Sequence, residues 1–79
     1  MVKQKKVIVN SNMLSGAIVS SGLTQADVAR QIGLSIAAFN NKINNKSEFK
    51  ASEIVMLTLI LKLTREEAYS IFFAKVVDC

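Results

Sequence analysis

The sequence predicts an all-α fold, a compact bundle of about five short helices with an N-terminal tail or a short strand. Three observations predict this class. The 79 residues include no proline and only three glycines, so little in the chain interrupts a helix. Apolar residues recur three and four positions apart in five successive segments, which is the period of an amphipathic helix. Serine, threonine or asparagine precedes four of these segments, where a helix N-cap is expected.

The first helix is predicted over about residues 12–21, and Gly22 follows it as a stop. The second helix is predicted to begin at the N-cap Thr24, with Asp27 in its first turn. The buried faces of these two helices are formed by apolar residues three or four apart, namely Leu14, Ala17 and Ile18, then Val28, Ala29 and Ile32.

Residues 24–45 hold two helical patterns that meet at Gly33, and the chain is organised around this stretch. Glycine takes the left-handed conformation without strain and so ends a helix. Ser35 is the expected N-cap of the third helix, over about residues 35–44, whose apolar face is Ile36, Phe39 and Ile43. Helix, tight turn with glycine and helix are typical of a helix-turn-helix.

This stretch resembles the helix-turn-helix of the lambda-repressor-like, Cro-type DNA-binding family, and the resemblance extends over roughly residues 12–75. The matching residues are Gln25 at the head of the first helix, Ala29, Ile32 before Gly33, and Phe39 six positions after that glycine. The resemblance implies a small phage or prophage regulator, repressor- or Cro-like, and a role for Gln25 in bonding a DNA phosphate. An ordinary solvent-facing glutamine is the alternative for Gln25.

Two positions depart from the family pattern. Lys42 occupies a position that is usually apolar, and Asn45 replaces the glycine that often ends the third helix. Because asparagine tolerates the left-handed conformation, we expect Asn45 to preserve the cap.

The outward face of the third helix carries no acidic residue, only small residues and amides. Asparagine can form two hydrogen bonds with an adenine edge, and an alanine or isoleucine methyl can contact a thymine methyl. Lysines in and after this helix are suited to phosphate contacts, although single lysines are often merely solvated. The candidate DNA-binding residues are Gln25, Ser35, Ile36, Ala37, Asn40, Asn41, Lys42, Asn44, Lys46 and Lys50.

The charge distribution agrees with a polyanionic partner. The net charge is +4, and residues 1–50 hold seven basic residues against two acids, whereas residues 51–79 hold three against four. A basic first half indicates a surface for nucleic acid. The alternative is that a modest positive charge only aids solubility.

We expect neither an enzyme, a cofactor nor a metal site. There is no histidine, and Cys79 is the single cysteine, so the ligands of a zinc site and the usual nucleophile–base pairs are missing. Cys79 is expected to be a free thiol. No secretory signal is evident, and the longest apolar run, residues 54–61, is well short of the ~20 residues of a membrane span. The sequence thus favours a cytoplasmic protein with no membrane partner.

Residues 1–11 are predicted to form a basic tail, and residues 12–79 the helix-turn-helix domain. Three interpretations of the tail are open: a frayed terminus, which is the commonest outcome, a basic arm on DNA, or a strand that pairs with another chain. Lys3, Lys5 and Lys6 are its basic residues, followed by a β-branched run over residues 7–9.

Phe49 is predicted to anchor the loop on the core, and the fourth helix, about residues 51–62, is apolar most of the way round. The fifth helix begins with the capping box Thr64 to Glu67, and its apolar pattern continues through Lys75 and Val76. Surplus apolar surface on these two helices suggests a homodimer on a near-palindromic double-stranded operator, with core packing as the alternative. A protein-interaction module, such as an antitoxin or antirepressor, is the second functional hypothesis.

Overall fold

The computed structural model describes residues 5–78 and shows five helices with a short two-stranded antiparallel sheet. The elements in chain order are β1 (Lys5–Ile8), α1 (Ser11–Ser20), α2 (Gln25–Gln31), α3 (Ile36–Ile43), α4 (Ala51–Ile60), α5 (Arg65–Phe72) and β2 (Lys75–Asp78). The five helices lie close to their predicted positions. Among residues 5–78, none of the helices combines the length and the apolar character that crossing a bilayer requires.

Polar caps fix where the central helices begin. The Thr24 hydroxyl accepts from the backbone N–H of Asp27 at 3.1 Å, and the Asp27 carboxylate accepts from the Thr24 N–H at 3.1 Å. Ser35 caps α3 by accepting from the Ala38 N–H at 3.1 Å. Thr64 and Glu67 form the predicted capping box at the start of α5. These bonds satisfy backbone donors that the first turn of a helix otherwise leaves free.

Left-handed residues separate several of the helices. Gly22 after α1 has φ +75°, Gly33 between α2 and α3 has φ +79°, and Asn45 after α3 has φ +65°. The prediction that asparagine replaces glycine in a left-handed cap after α3 is therefore confirmed at Asn45. At Gly33 the turn is tight enough for the Leu34 N–H to bond the Ala29 carbonyl at 2.9 Å.

Alanine at Gly33 and alanine at Gly16 should have opposite effects on stability. A Cβ at either position would meet no atom within 4 Å, so only backbone conformation differs between the two sites. We expect Gly33→Ala to destabilise by about 1–2 kcal/mol, because the left-handed region is strained for a residue with a Cβ. Gly16→Ala, inside α1, should stabilise by about 0.5–1 kcal/mol. Urea denaturation of both variants tests this, and equal shifts would contradict the turn geometry.

One hydrophobic core joins the helices. Its fully buried side chains come from α1, α2, α3, α4 and α5, namely Phe39, Phe72, Leu14, Ile18, Leu57 and Val28. Phe49 lies between two of these rings, with centroids 5.9 Å from Phe39 and 5.6 Å from Phe72, both in edge-to-face contact. The predicted role of Phe49 as a loop anchor is thus confirmed, and it connects α3 to α5.

The C-terminal end of the fold differs from the prediction. The helical pattern through Lys75 and Val76 was expected to extend α5, but α5 ends at Phe72 and residues 75–78 form β2. β2 pairs antiparallel with β1, with Val7 opposite Val76 and Ile8 opposite Lys75. Cross-strand pairing of β-branched residues outweighs the helical spacing here.

Residues 5–8 of the N-terminal segment form strand β1. Of the three interpretations, a strand is the one that forms, and its partner is β2 of the same chain rather than another chain. A frayed terminus is therefore wrong for residues 5–8. The predictions for Lys3 and Cys79 lie outside the described residues.

Helix α4 buries one face only. Leu57 and Leu61 are buried, whereas Val55 is 58% and Leu59 is 72% exposed. Although α4 is apolar most of the way round, part of its apolar surface is therefore left exposed in the single chain.

Candidate nucleic-acid interface

The exposed face of α3 is a continuous stripe of small residues and amides. Its members follow helical spacing along one side of α3, and all are exposed: Ile36, Ala37, Asn40, Asn41 and Asn44. No charged side chain interrupts the stripe, and Phe39 and Ile43 hold the opposite side of α3 in the core. The stripe therefore presents hydrogen-bonding amides and short apolar groups to whatever lies against α3.

Ile36, at the start of α3, differs from its predicted surroundings, whereas Ser35 caps α3 as predicted. Ile36 was assigned to the apolar face with Phe39 and Ile43, but its side chain is 55% exposed. Phe39 and Ile43 are therefore the two buried apolar residues of α3, and Ile36 belongs to the exposed stripe. Ser35 is exposed, and its hydroxyl is engaged in capping α3.

Lys42 does not belong to the exposed surface, which corrects its assignment as a phosphate contact. Its side chain is 12% exposed, and its ammonium donates to Glu53 Oε1 at 2.6 Å. Lys42 is therefore a lysine whose charge is neutralised inside the fold by Glu53. Burial of an ammonium group requires such a partner.

Glu53 is the buried carboxylate that sequence reasoning missed. The same Oε1 atom accepts from Lys42 and from the Lys50 backbone N–H, the latter at 2.8 Å. Burial raises the pKa of Glu53, but the bonds from Lys42 and Lys50 outweigh it and hold the pKa below its ordinary value. Two signals in the sequence could have revealed the pair: a lysine on the inward face of α3, and a glutamate three residues after the N-cap of α4.

Lys46 and Lys50 remain exposed in the loop after α3, as predicted for phosphate contacts. Glu48 lies between them in sequence, and its Oε2 accepts from the Val7 backbone N–H at 2.9 Å. Its carboxylate is therefore directed to β1. The loop thus offers lysine ammonium groups next to the stripe on α3.

Gln25 is the first residue of α2 and is half-buried. The neighbouring Asp27 is held by the Thr24 backbone N–H and hydroxyl and by Arg30, which together lower the pKa of its carboxyl group. The Arg30 guanidinium donates to Asp27 at 2.8 Å, and its side chain is 73% exposed. The first turn of α2, which carries Gln25, is therefore rigidly capped.

Asn45 differs from the three asparagines on the stripe. Its side-chain Oδ1 accepts from the Val9 N–H at 2.8 Å, and its Nδ2 donates to the Val9 carbonyl at 3.0 Å. Its own carbonyl accepts from Lys6 Nζ at 2.7 Å. Both the oxygen and the nitrogen of the Asn45 side-chain amide are therefore bonded to Val9 within the protein.

Comparison with known proteins gives one result at the level of the family. No curated protein and no solved structure matches the chain. The family described as "Protein of unknown function (DUF739)" matches residues 9–75, which include all five helices and the candidate interface. The chain is therefore a member of the DUF739 family.

Proposed function

We propose that this protein is a sequence-specific double-stranded DNA-binding transcriptional regulator, Cro- or repressor-like and of phage or prophage type, acting in the cytoplasm. The single observation that carries the proposal is the exposed stripe on α3, small at its N-terminal end and rich in amides further along. The Gly33 turn joins α2 to α3, and the resemblance to the lambda-repressor-like family supports a helix-turn-helix role for the pair. No cofactor or catalytic step is part of the proposal.

In this proposal α3 lies in the major groove. Ala37 near its N-terminal end is small enough for close approach, and the methyl groups of Ile36 and Ala37 can contact thymine methyl groups. Asn40, Asn41 and Asn44 can donate to and accept from base edges, because each amide offers both functions. Lys46 and Lys50, together with Gln25, would contact phosphates and so set affinity and register.

The proposed functional unit is a homodimer. Exposed apolar side chains remain on α4 and near the end of α5, including Leu59 at 72% and Tyr69 at 67%. Tyr69 and Phe73 pack with ring centroids 5.6 Å apart, and aromatic side chains are enriched in interfaces. Two copies related by a two-fold axis would place two α3 helices about one turn of DNA apart, on a near-palindromic operator.

Asn41→Ala and Lys46→Gln should separate base recognition from phosphate binding. Asn41→Ala is expected to weaken binding to the selected duplex by about 1–3 kcal/mol, and binding to random duplex hardly at all. Lys46→Gln is expected to weaken both and to reduce the salt slope by about one. Fluorescence anisotropy against both duplexes at several salt concentrations measures these effects.

Glu66→Gln is the matched control, because Glu66 is an exposed residue in the first turn of α5. It should leave both affinities unchanged. Equal losses on selected and random duplex with Asn41→Ala would show that Asn41 does not recognise bases.

A protein-interaction module is the second candidate, favoured by the same exposed apolar side chains on α4 and α5. An antitoxin or antirepressor would use this surface for a different protein. Salt dependence distinguishes the two candidates. DNA binding that neutralises Z phosphates falls with a log–log slope of about −0.9Z, whereas an apolar protein interface responds weakly to salt.

A further inference from the structure

Strand β1 connects two parts of the molecule that are far apart in sequence. It pairs with β2, and the Ala74 N–H donates to the Ile8 carbonyl at 3.1 Å. The segment around β1 is also bonded to residues 43–48, the turn that follows α3. Since the turn carries Lys46, the position of this N-terminal segment bears directly on the candidate interface.

The Asn45 side chain makes two of these connections. Its side-chain amide bonds both the N–H and the carbonyl of Val9, at 2.8 and 3.0 Å. One side chain thereby supplies the pair of hydrogen bonds that a neighbouring strand would supply. The residue holds a left-handed backbone with φ +65°, which asparagine tolerates and which directs the chain out of α3.

Three further bonds join the same two segments. The Ser11 hydroxyl donates to the Ile43 carbonyl at the C-terminal end of α3. Lys6 Nζ donates to the Asn45 carbonyl, and the Val7 N–H donates to Glu48. Asn45, Ser11, Lys6 and Glu48 are polar residues, so apolar periodicity gives no indication of this network.

We infer that residues 6–11, from β1 to the start of α1, form a brace that holds the C-terminal end of α3 in place, and that Asn45 is a positioning residue for DNA recognition. The effect on DNA recognition rests on the proposed function, whereas the effect on the position of α3 does not. The brace replaces the basic arm on DNA as the role of residues 5–9. Other contacts would still hold α3 if the bonds from Asn45 were lost. They are the core packing of Phe39 and Ile43, the Lys42–Glu53 ion pair, the Ser35 cap, and the bonds of Ser11 and Lys6.

Asn45→Gly tests the brace most directly, because glycine keeps the left-handed turn while deleting both bonds to Val9. In full-length protein we expect faster hydrogen exchange at the Val9 amide and shifted NMR signals of the α3 amides, including Asn40, Asn41 and Asn44. The ratio of selected-duplex to random-duplex affinity should fall about tenfold, as when one base contact is impaired. Ser11→Ala should shift the α3 signals in the same direction.

Thr64→Ala is the control for a purely structural effect. It removes the N-cap of α5 and so lowers the melting temperature, and it leaves the turn after α3 untouched. Unchanged α3 signals in Asn45→Gly, with a lower melting temperature like that of Thr64→Ala, would overturn the brace. Failure of the wild-type protein to bind any duplex would overturn the proposed function. The NMR signals of the α3 amides in Asn45→Gly would still show whether the brace holds α3 in place.

Discussion

Replacing Glu53 by alanine is expected to destabilise the protein by about 3–5 kcal/mol, because it leaves a buried ammonium group without its counter-ion. The Lys42 side chain is 12% exposed, and its ammonium group donates to Glu53 Oε1 at 2.6 Å. Alanine also removes the acceptor for the Lys50 N–H at the start of α4. Urea denaturation at neutral pH, followed by circular dichroism, measures the loss.

A double variant separates the charge from the cap. In Lys42→Met/Glu53→Gln the buried ammonium is gone, and the glutamine oxygen can still accept from the Lys50 N–H. Because well-packed neutral residues often replace a buried ion pair at little cost, this variant should be more stable than Glu53→Ala. A double variant no more stable than the single one would show that the pair itself is not the cause.

The Lys42–Glu53 ion pair also predicts that the free energy of unfolding depends on pH. The folded-state pKa of Glu53 lies below its ordinary value. The contribution of the ionised carboxylate to the free energy of unfolding is therefore fully present above the unfolded carboxyl pKa of ~4.3. That contribution is lost as the pH falls through the lower folded pKa. The stability difference between wild type and Glu53→Gln should therefore shrink on acidification. A difference that stays constant down to acid pH would contradict the assignment.

Phe49→Ala is expected to cost about 3–5 kcal/mol, the usual range for deleting a buried aromatic ring. Phe49 is 9% exposed and contacts both Phe39 and Phe72 edge to face. Its loss leaves a cavity between α3 and α5 and removes two aromatic contacts. The expected loss is comparable to the total stability of ~4–12 kcal/mol for a domain of this length. Thermal and urea denaturation should show midpoints far below those of the wild-type protein.

Phe73→Ala is the matched control, since Phe73 is a nearby phenylalanine that is 41% exposed and packs on Tyr69. It should cost at most about 1 kcal/mol. Phe49→Leu should fall between the two, because leucine fills part of the space. Similar losses for Phe49→Ala and Phe73→Ala would contradict the central place of Phe49 in the core.

The helices were predictable because local signals and tertiary packing agree. Thr24, Ser35 and Thr64 cap helices where serine and threonine precede an apolar pattern, and Gly33 has the left-handed turn that follows from its position. The sheet was not predictable in the same way. Residues 75–78 continue a helical spacing, and only pairing with β1, about seventy positions earlier, makes them a strand.

The exposed residues of the candidate site could be predicted from the sequence, whereas the polar contacts around them were not predicted. Helical geometry alone places Asn40, Asn41 and Asn44 outward, because Phe39 and Ile43 must lie inward. The inward lysine at 42 and the engaged amide of Asn45 depend on partners elsewhere in the chain, Glu53 and Val9. Spacing marks Lys42 as inward and Glu53 as a capping residue, but it gives no sign of the bonds between Asn45 and Val9.

Repeated selection of the full-length protein against a random duplex library, in a gel shift at near-physiological salt, tests the central claim most directly. The account predicts enrichment of a near-palindromic site, with half-sites about one helical turn apart, and loss of that enrichment with Asn41→Ala. Salt-sensitive binding without any enriched sequence would contradict sequence-specific recognition by α3. Absence of binding to every duplex would contradict the DNA-binding role altogether and favour a protein partner for α4 and α5.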